Sequence, residues 1–407
     1  MVRKYENFTI SVQHLPDEGS YEITAECLGL EPVSSTIPDD LPTLDEREIE
    51  LVGLWLERGR IDPEFAKDFG TRLFQTVFTD EILVLFRRVS AGIAPDGLRI
   101  TLEYPLPPAL VDLPWELLYD ADGEGFLARS ADTPVVRHLP VREIPHRPPD
   151  KGPLRVLVVA ASPKDRPLVS VVQESAEIAR MLKPRSFDLR DTIGVVYRHL
   201  RSERSPRGLV QRLRQRTLVD IDILSGATKQ KLQHELLAAK NAGTGYHVVH
   251  FIGHGSAEAG VGKLLLLDED GNSDPITAKA FGEMMDEPTL NLVMFNACET
   301  AVPQPFMYSV AEATLDQGVP AVLGMQAPVP DRLAVDFARD FYGAWANGEP
   351  IESALAYARQ LVVSGTPGTA ADWVIPVLYM SPTEGLALEL EQPSKPPPLL
   401  VRALTPA

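Results

Sequence analysis

Apolar and polar positions follow two different rhythms along this chain. Near the N-terminus they alternate, over residues 8–12 and again over 21–27, which is the period-two signature of strands with one face buried. From residue 44 to residue 95 the period lengthens. Leu51, Leu54 and Trp55, then Leu73, Val77, Ile82 and Leu85, recur three and four positions apart and predict helices with one apolar stripe. Strands return at 98–104 and 134–139, on either side of the segment Leu113-Pro-Trp-Glu-Leu-Leu-Tyr119.

Pro145, Pro148, Pro149 and Pro153, mixed with charges, cannot continue a helix or a central strand, and a domain boundary is expected there. Beyond it the pattern becomes short, nearly continuous apolar runs separated by helical stretches. Apolar runs stand at 155–161, 217–224, 248–253, 264–267, 290–296, 321–325 and 373–379. Helix-like stretches stand at 172–182, 229–242, 277–285, 333–346 and 351–362. Apolar strands alternating with helices imply an α/β fold, a mostly parallel sheet covered on both faces, with an N-terminal strand-and-helix region. The expected organisation is an N-terminal α+β region over 1–150, an α/β domain over 151–382, and a proline-rich tail over 383–407 that lies extended or disordered.

Composition narrows the function. A chain of 407 residues with 44% hydrophobic and 24% charged residues can bury a sizeable core, and no stretch approaches the ~18 apolar residues of a membrane-spanning helix. The N-terminus, Met1-Val-Arg-Lys-Tyr-Glu-Asn7, has no apolar signal region, so a cytoplasmic location is expected. A net charge of −18 disfavours direct binding to nucleic acid. A basic cluster at Arg198, Arg201, Arg204, Arg207, Arg212, Arg214 and Arg216 reads either as a solvated helix face or as an anion or partner contact. Two cysteines, Cys27 and Cys298, exclude a disulfide framework and a cysteine-rich zinc site. No cofactor is expected: Gly260-Val-Gly-Lys263 departs from a phosphate loop at Ala257 and Leu264, and no glycine-rich dinucleotide fingerprint follows the run at 155–161.

Two apolar runs end on reactive side chains. One is His247-Val-Val-His-Phe-Ile-Gly-His-Gly255, breaking at Gly-His-Gly; the other is Asn291-Leu-Val-Met-Phe-Asn-Ala-Cys-Glu-Thr300, breaking at Asn-Ala-Cys. Open α/β sheets build their sites beyond the carboxyl ends of strands, so neighbouring parallel strands bring His254 and Cys298 to one edge. A free thiol titrates near ~8.5 and reacts as the thiolate, which a neighbouring imidazole favours and whose proton it later passes to the leaving amine. The backbone N–H groups of Gly255 and Cys298 are candidate oxyanion donors. His247 and His250 invite a metal reading, but alternation separates His247 from the other two and no cysteine pair joins them, so no metal is expected. Trp115 reads as core, with Glu116 satisfying buried backbone donors, and Cys27 as a packed or surface thiol.

The motifs His250-Phe-Ile-Gly-His-Gly255 and Phe295-Asn-Ala-Cys-Glu-Thr300 resemble those of the CHAT peptidases, a group that belongs with the caspases and separases. The likeness extends to Leu113–Tyr119, Gly318–Gln326, Phe341-Tyr342 and Ala354–Arg359, over about residues 95 to 381. It implies a caspase-like sheet and a Cys-His dyad at Cys298 and His254. It also implies a protein substrate, such as a gasdermin-like pore former in bacterial defence, and an activating partner or sensor. Family members often carry tetratricopeptide or sensor domains, whereas no repeat of 20 to 50 residues occurs in this sequence. In the caspase-like group the loop beyond the strand at 321–325 lines the pocket for the residue preceding the cleaved bond. Asp331 is therefore a candidate for that pocket, and also a candidate cap for the helix near Leu333. The competing functional reading is a catalytically silent interaction module that keeps the sheet.

Overall fold

The computed structural model describes residues 3–141, 154–166, 219–297, 303–365 and 372–381, apart from positions 42, 45, 58–60, 124, 259–260, 328 and 330. The alternation near the N-terminus produces an antiparallel meander of β1 (Tyr5–Leu15), β2 (Ser20–Cys27) and β3 (Val33–Pro38). Phe8 and Ile10 of β1 and Tyr21, Ile23 and Ala25 of β2 are buried on one face. Helices α1 (Glu46–Glu57), α2 (Pro63–Val77) and α3 (Asp80–Gly92) follow. α2 starts sharply because the Asp62 carboxylate accepts the N–H groups of Glu64 and Phe65 at 2.9 and 3.0 Å, with Pro63 at the first helical position. Phe74 stacks on Phe78 at 4.3 Å between centroids, and Phe86 meets both Phe78 and Phe8 edge-on, so the meander and the helices share one aromatic core.

Next come β4 (Gly97–Glu103), the short α4 (Pro108–Val111), a two-stranded hairpin of β5 (Tyr119–Asp120) and β6 (Gly125–Phe126), and β7 (Val135–His138). The remaining elements are β8 (Leu154–Ala160), β9 (Val219–Ser225), α5 (Lys229–Asn241), β10 (Val248–Glu258), β11 (Val261–Leu267) and β12 (Ser273–Thr277). They continue with α6 (Ala278–Met284), β13 (Leu292–Ala297), α7 (Pro303–Leu315), β14 (Ala321–Met325), α8 (Asp331–Ala346), α9 (Ile351–Gly365) and β15 (Pro376–Met380). Apart from the small hairpin, the strands form one 13-stranded sheet, ordered β12-β11-β10-β13-β14-β15-β7-β4-β1-β2-β3, with β8 also paired to β10 and β9 to β8. Parallel pairs predominate, as buried apolar strands joined by helices require. One face packs on α6, where Phe281 meets Phe251 and Phe295; the other packs on α8, where the Tyr342 hydroxyl reaches His250 and Met294.

Strands on both sides of the proline-rich stretch at 145–153, which lies outside the described residues, belong to this one sheet: β7 pairs in parallel with β15 and with β4. Buried polar contacts tie the same two portions. Arg99 of β4 pairs with Glu352 at the start of α9, and the Tyr5 hydroxyl lies 2.6 Å from that of Ser353. Arg359 of α9 donates to the carbonyls of Ala128 and Pro376 at 2.9 and 2.5 Å.

Two differences from the sequence expectation have physical causes. β3 and β12 are polar and contain Pro38 and Pro275, and both stand at sheet edges, where a missing N–H costs little and apolar periodicity is weak. β10 does not break at Gly-His-Gly but continues to Glu258, leaving the parallel sheet to pair antiparallel with β11. The expected helix at 172–182, the basic cluster at 198–216 and the tail at 383–407 lie outside the described residues.

Candidate active site

β10 and β13 are hydrogen-bonded neighbours and run parallel, in register from Val248↔Leu292 to Gly253↔Ala297. The residues that follow that last pair in sequence are His254 and Cys298. Cys298, with residues 298–302, lies outside the described residues. His254 is 8% exposed and stands where β10 leaves the parallel sheet, opposite Leu265 of β11. Side chains of a strand alternate between faces, so His254 shares the α8 face of the sheet with His250 and Ile252. Asn296, 9% exposed, shares that face with Met294.

The glycine before His254 has a steric reason. A Cβ on Gly253 would lie 2.8 Å from the Ala161 carbonyl oxygen and 2.9 Å from the Phe251 ring, so only glycine lets β8 and β10 close at this point. Ala161 donates its N–H to the Ile252 carbonyl at 2.9 Å, which fixes the backbone groups of Ile252 toward β8. Successive strand residues direct their backbone groups to opposite sides, so those of Gly253 and Gly255 point to the side on which β13 runs. The rim on the β8 side is braced. Lys164 donates its N–H to the Gly271 carbonyl and its ammonium to that of Asp270, at 3.0 and 2.9 Å, while the Asp165 carboxylate accepts the Ser273 N–H and hydroxyl at 2.9 and 2.8 Å. Gly262, at the start of the returning strand, donates its N–H to Ser309 Oγ of α7 at 3.2 Å.

The other two histidines of the motif have separate roles. His247 sits at the opposite end of β10 and accepts the Arg155 N–H through Nδ1 at 2.9 Å. His250 is buried against α8 with Nδ1 at 3.2 Å from the Tyr342 hydroxyl, and burial pushes its pKa down to about 3, so it is a neutral imidazole. Among the described residues no group of three or more His, Cys, Asp or Glu could hold a metal ion. Nor is any helix among them long and apolar enough to cross a membrane.

Asp331 is the first residue of α8, at the end of the segment that leaves β14. Cys27 is buried in the N-terminal meander on β2, and burial raises its thiol pKa. Trp115 is core, its Nε1 donating to the Leu110 carbonyl at 3.0 Å. Glu116 is fully buried, and its partners are side chains rather than backbone donors. Its Oε2 accepts Arg137 Nη2 at 2.9 Å and Gln326 Nε2 at 3.1 Å. Sequence patterning assigned no role to Arg137, Gln326 or Arg359, although a charged residue inside the apolar run Val135-Val-Arg137 is a signal for a buried partner.

No curated protein matches the chain in sequence. Among solved structures it is similar to separase in two crystal structures of the Saccharomyces cerevisiae separase–securin complex. Both are 10% identical, with TM-scores of 0.46 and 0.42, and the matches cover 94% and 93% of this chain and 30% of the other. The chain thus spans less than a third of the length of those neighbours. The Drosophila initiator caspase Dronc is also similar, at 10% identity and a TM-score of 0.31, over 57% of this chain and 86% of that one. The sequence itself matches the CHAT domain profile over residues 67–381, a span that includes β4, β7 and every strand from β8 to β15, and on that match the chain belongs to the CHAT domain family.

Proposed function

We propose that this chain is a cysteine endopeptidase in which Cys298 is the nucleophile and His254 its general acid and base. The observation that carries this reading is the register of β10 and β13: the last ladder pair, Gly253↔Ala297, immediately precedes the two reactive residues on adjacent parallel strands. A nucleophile and base so placed lie at the carboxyl edge of the sheet, where open α/β folds bind their ligands. In the proposed reaction the Cys298 thiolate attacks the scissile carbonyl, and the N–H groups of Gly255 and Cys298 stabilise the oxyanion. The His254 imidazolium then gives its proton to the leaving amine, and water attack on the acyl-enzyme completes hydrolysis. The direction of the Gly255 backbone, toward the β13 side, supports its oxyanion role. Asp331 is proposed to line the pocket for a basic residue preceding the cleaved bond.

The physiological substrate is proposed to be a partner protein, such as a gasdermin-like pore former of a bacterial defence system, with activity released by a partner or sensor protein. Residues 1–150 buttress the sheet or recruit that partner. Residues 151–382 form the peptidase portion, acting in the cytoplasm. The test is cleavage of a candidate partner co-expressed with the wild-type chain, with Cys298→Ala and with His254→Ala. Loss of the new protein termini in both variants supports the dyad. Cleavage that persists in Cys298→Ala refutes it, and a wild type without cleavage under any co-expressed trigger favours the silent interaction module.

A further inference from the structure

Gln326 is the first residue beyond β14, and its side chain is clamped from three directions. Its Oε1 accepts Arg137 Nη2 at 3.3 Å, and its Nε2 donates to Glu116 Oε2 at 3.1 Å and to the Val374 carbonyl at 2.7 Å. Its own N–H donates to the Ile375 carbonyl at 2.9 Å. Glu116, Arg137 and Gln326 are 0%, 0% and 4% exposed, so this is an interior network drawn from the turn after α4, from β7, from the exit of β14 and from the turn that enters β15.

A buried ion pair is an expensive way to fill space, because apolar residues of similar volume often serve stability as well or better. What it provides is a fixed position. Here the fixed object is the point at which the chain leaves β14. β13 and β14 are parallel and pair as far as Met294 opposite Leu323; three residues further along each chain stand Ala297, the residue before Cys298, and Gln326. Gln326 and Ala327, both buried, therefore begin the segment that leaves the sheet at the same carboxyl edge as His254.

We infer that Glu116 and Arg137 are positioning residues that act through Gln326, and that by fixing this exit they set the selectivity of the pocket that the proposed function puts beyond β14 for the residue preceding the cleaved bond. The inference rests on the peptidase reading and extends it to specificity. Selectivity at such a wall depends on its position to a fraction of an ångström, which an amide with both ends bonded supplies and an apolar side chain of equal length does not.

The experiment uses the full chain and two variants. Gln326→Met keeps the volume and the Glu116–Arg137 pair but removes the clamp. Glu116→Gln keeps the shape but leaves Arg137 without its carboxylate. A positional library of fluorogenic tetrapeptides reports selectivity, and the rate of Cys298 alkylation by iodoacetamide reports the integrity of the dyad. In Gln326→Met the ratio of kcat/KM between the best and worst residues before the cleaved bond should fall at least ~10-fold, with the alkylation rate within ~2-fold of wild type. Glu116→Gln should show the same loss of selectivity together with a lower Tm. Unchanged selectivity in Gln326→Met overturns the inference, and so does an equal loss toward all peptides in step with slower alkylation. Should the wild type and Cys298→Ala prove equally inactive, the peptidase reading fails on its own. Hydrogen exchange at residues 321–327 then decides the positioning claim: faster exchange there in Gln326→Met, with β1 and β2 unchanged, sustains the clamp, and identical exchange removes it.

Discussion

At the scale of single residues, burial decides the chemistry of His250. His250 is sealed against Tyr342, and burial holds its pKa at about 3, against an ordinary value near ~6.5. The unfolded chain takes up a proton at this residue below pH ~6.5 while the folded chain does not, so the unfolded state binds more protons in that window. Its contribution to stability is complete above pH ~6.5 and is lost as the pH falls toward about 3, at ~1.4 kcal/mol per pH unit for one proton. Asp372 works the other way. Burial raises its carboxyl to about 6, so its folded form holds a proton that the unfolded form has released, and stability is lost as pH rises toward that value. The two effects overlap near pH 5, so the His250 contribution is read as a difference. Urea unfolding of wild type and His250→Phe at pH 7 and pH 5 should differ in slope by one proton, the wild type losing stability relative to the variant as the pH falls. Equal slopes would mean that His250 takes up protons in the folded state.

At the scale of elements, the sheet edge depends on close approaches between strands. Gly253→Ala places a methyl group 2.8 Å from the Ala161 oxygen, forcing β8 and β10 apart just before His254. A loss of ~1–3 kcal/mol is expected, measured by chemical denaturation, and the strand displacement should slow Cys298 alkylation as well. Stability within ~0.5 kcal/mol of wild type would show that the approach is not restrictive. The sequence read the parallel strands well, because 155–161, 248–253, 290–296 and 321–325 are apolar runs bounded by polar or glycine residues. It placed the two motif strands at one edge, and the β10–β13 ladder has them side by side. It read β11 only in part and missed β12 and the continuation of β10, because a strand that pairs at an edge beyond the core carries no apolar stripe. The network of Glu116, Arg137 and Gln326 was illegible for another reason. Its members are 21 and 189 positions apart in the chain, and only the sheet order brings them together.

At the scale of the whole molecule, the sheet crosses the proline-rich stretch that the sequence suggested as a boundary. β7, β4 and β1 continue the ladder beyond β15, and the Arg99–Glu352 pair and the Arg359 hydrogen bonds bury charge between the two portions. Removing residues 1–141 would expose the edge of β15 that pairs with β7 and leave Glu352 and Arg359 buried without their partners from that region, each an expensive loss. A chain beginning at Leu154 should therefore fail to fold alone, judged by far-UV circular dichroism and a cooperative melt, and should recover when residues 1–141 are supplied as a separate chain. A cooperative melt of the isolated portion would establish residues 1–141 as an independent appendage.

The central claim is that His254 and Cys298 act as one pair, and the most direct measurement is the pH dependence of Cys298 alkylation by iodoacetamide, followed residue by residue by mass spectrometry. Cys27 does not compete, since it is buried and its thiol is shifted upward. The pair predicts a reactive thiolate well below pH ~8.5 in the wild type and a return to ordinary thiol titration near ~8.5 in His254→Ala. Superimposable profiles for the two proteins would contradict it.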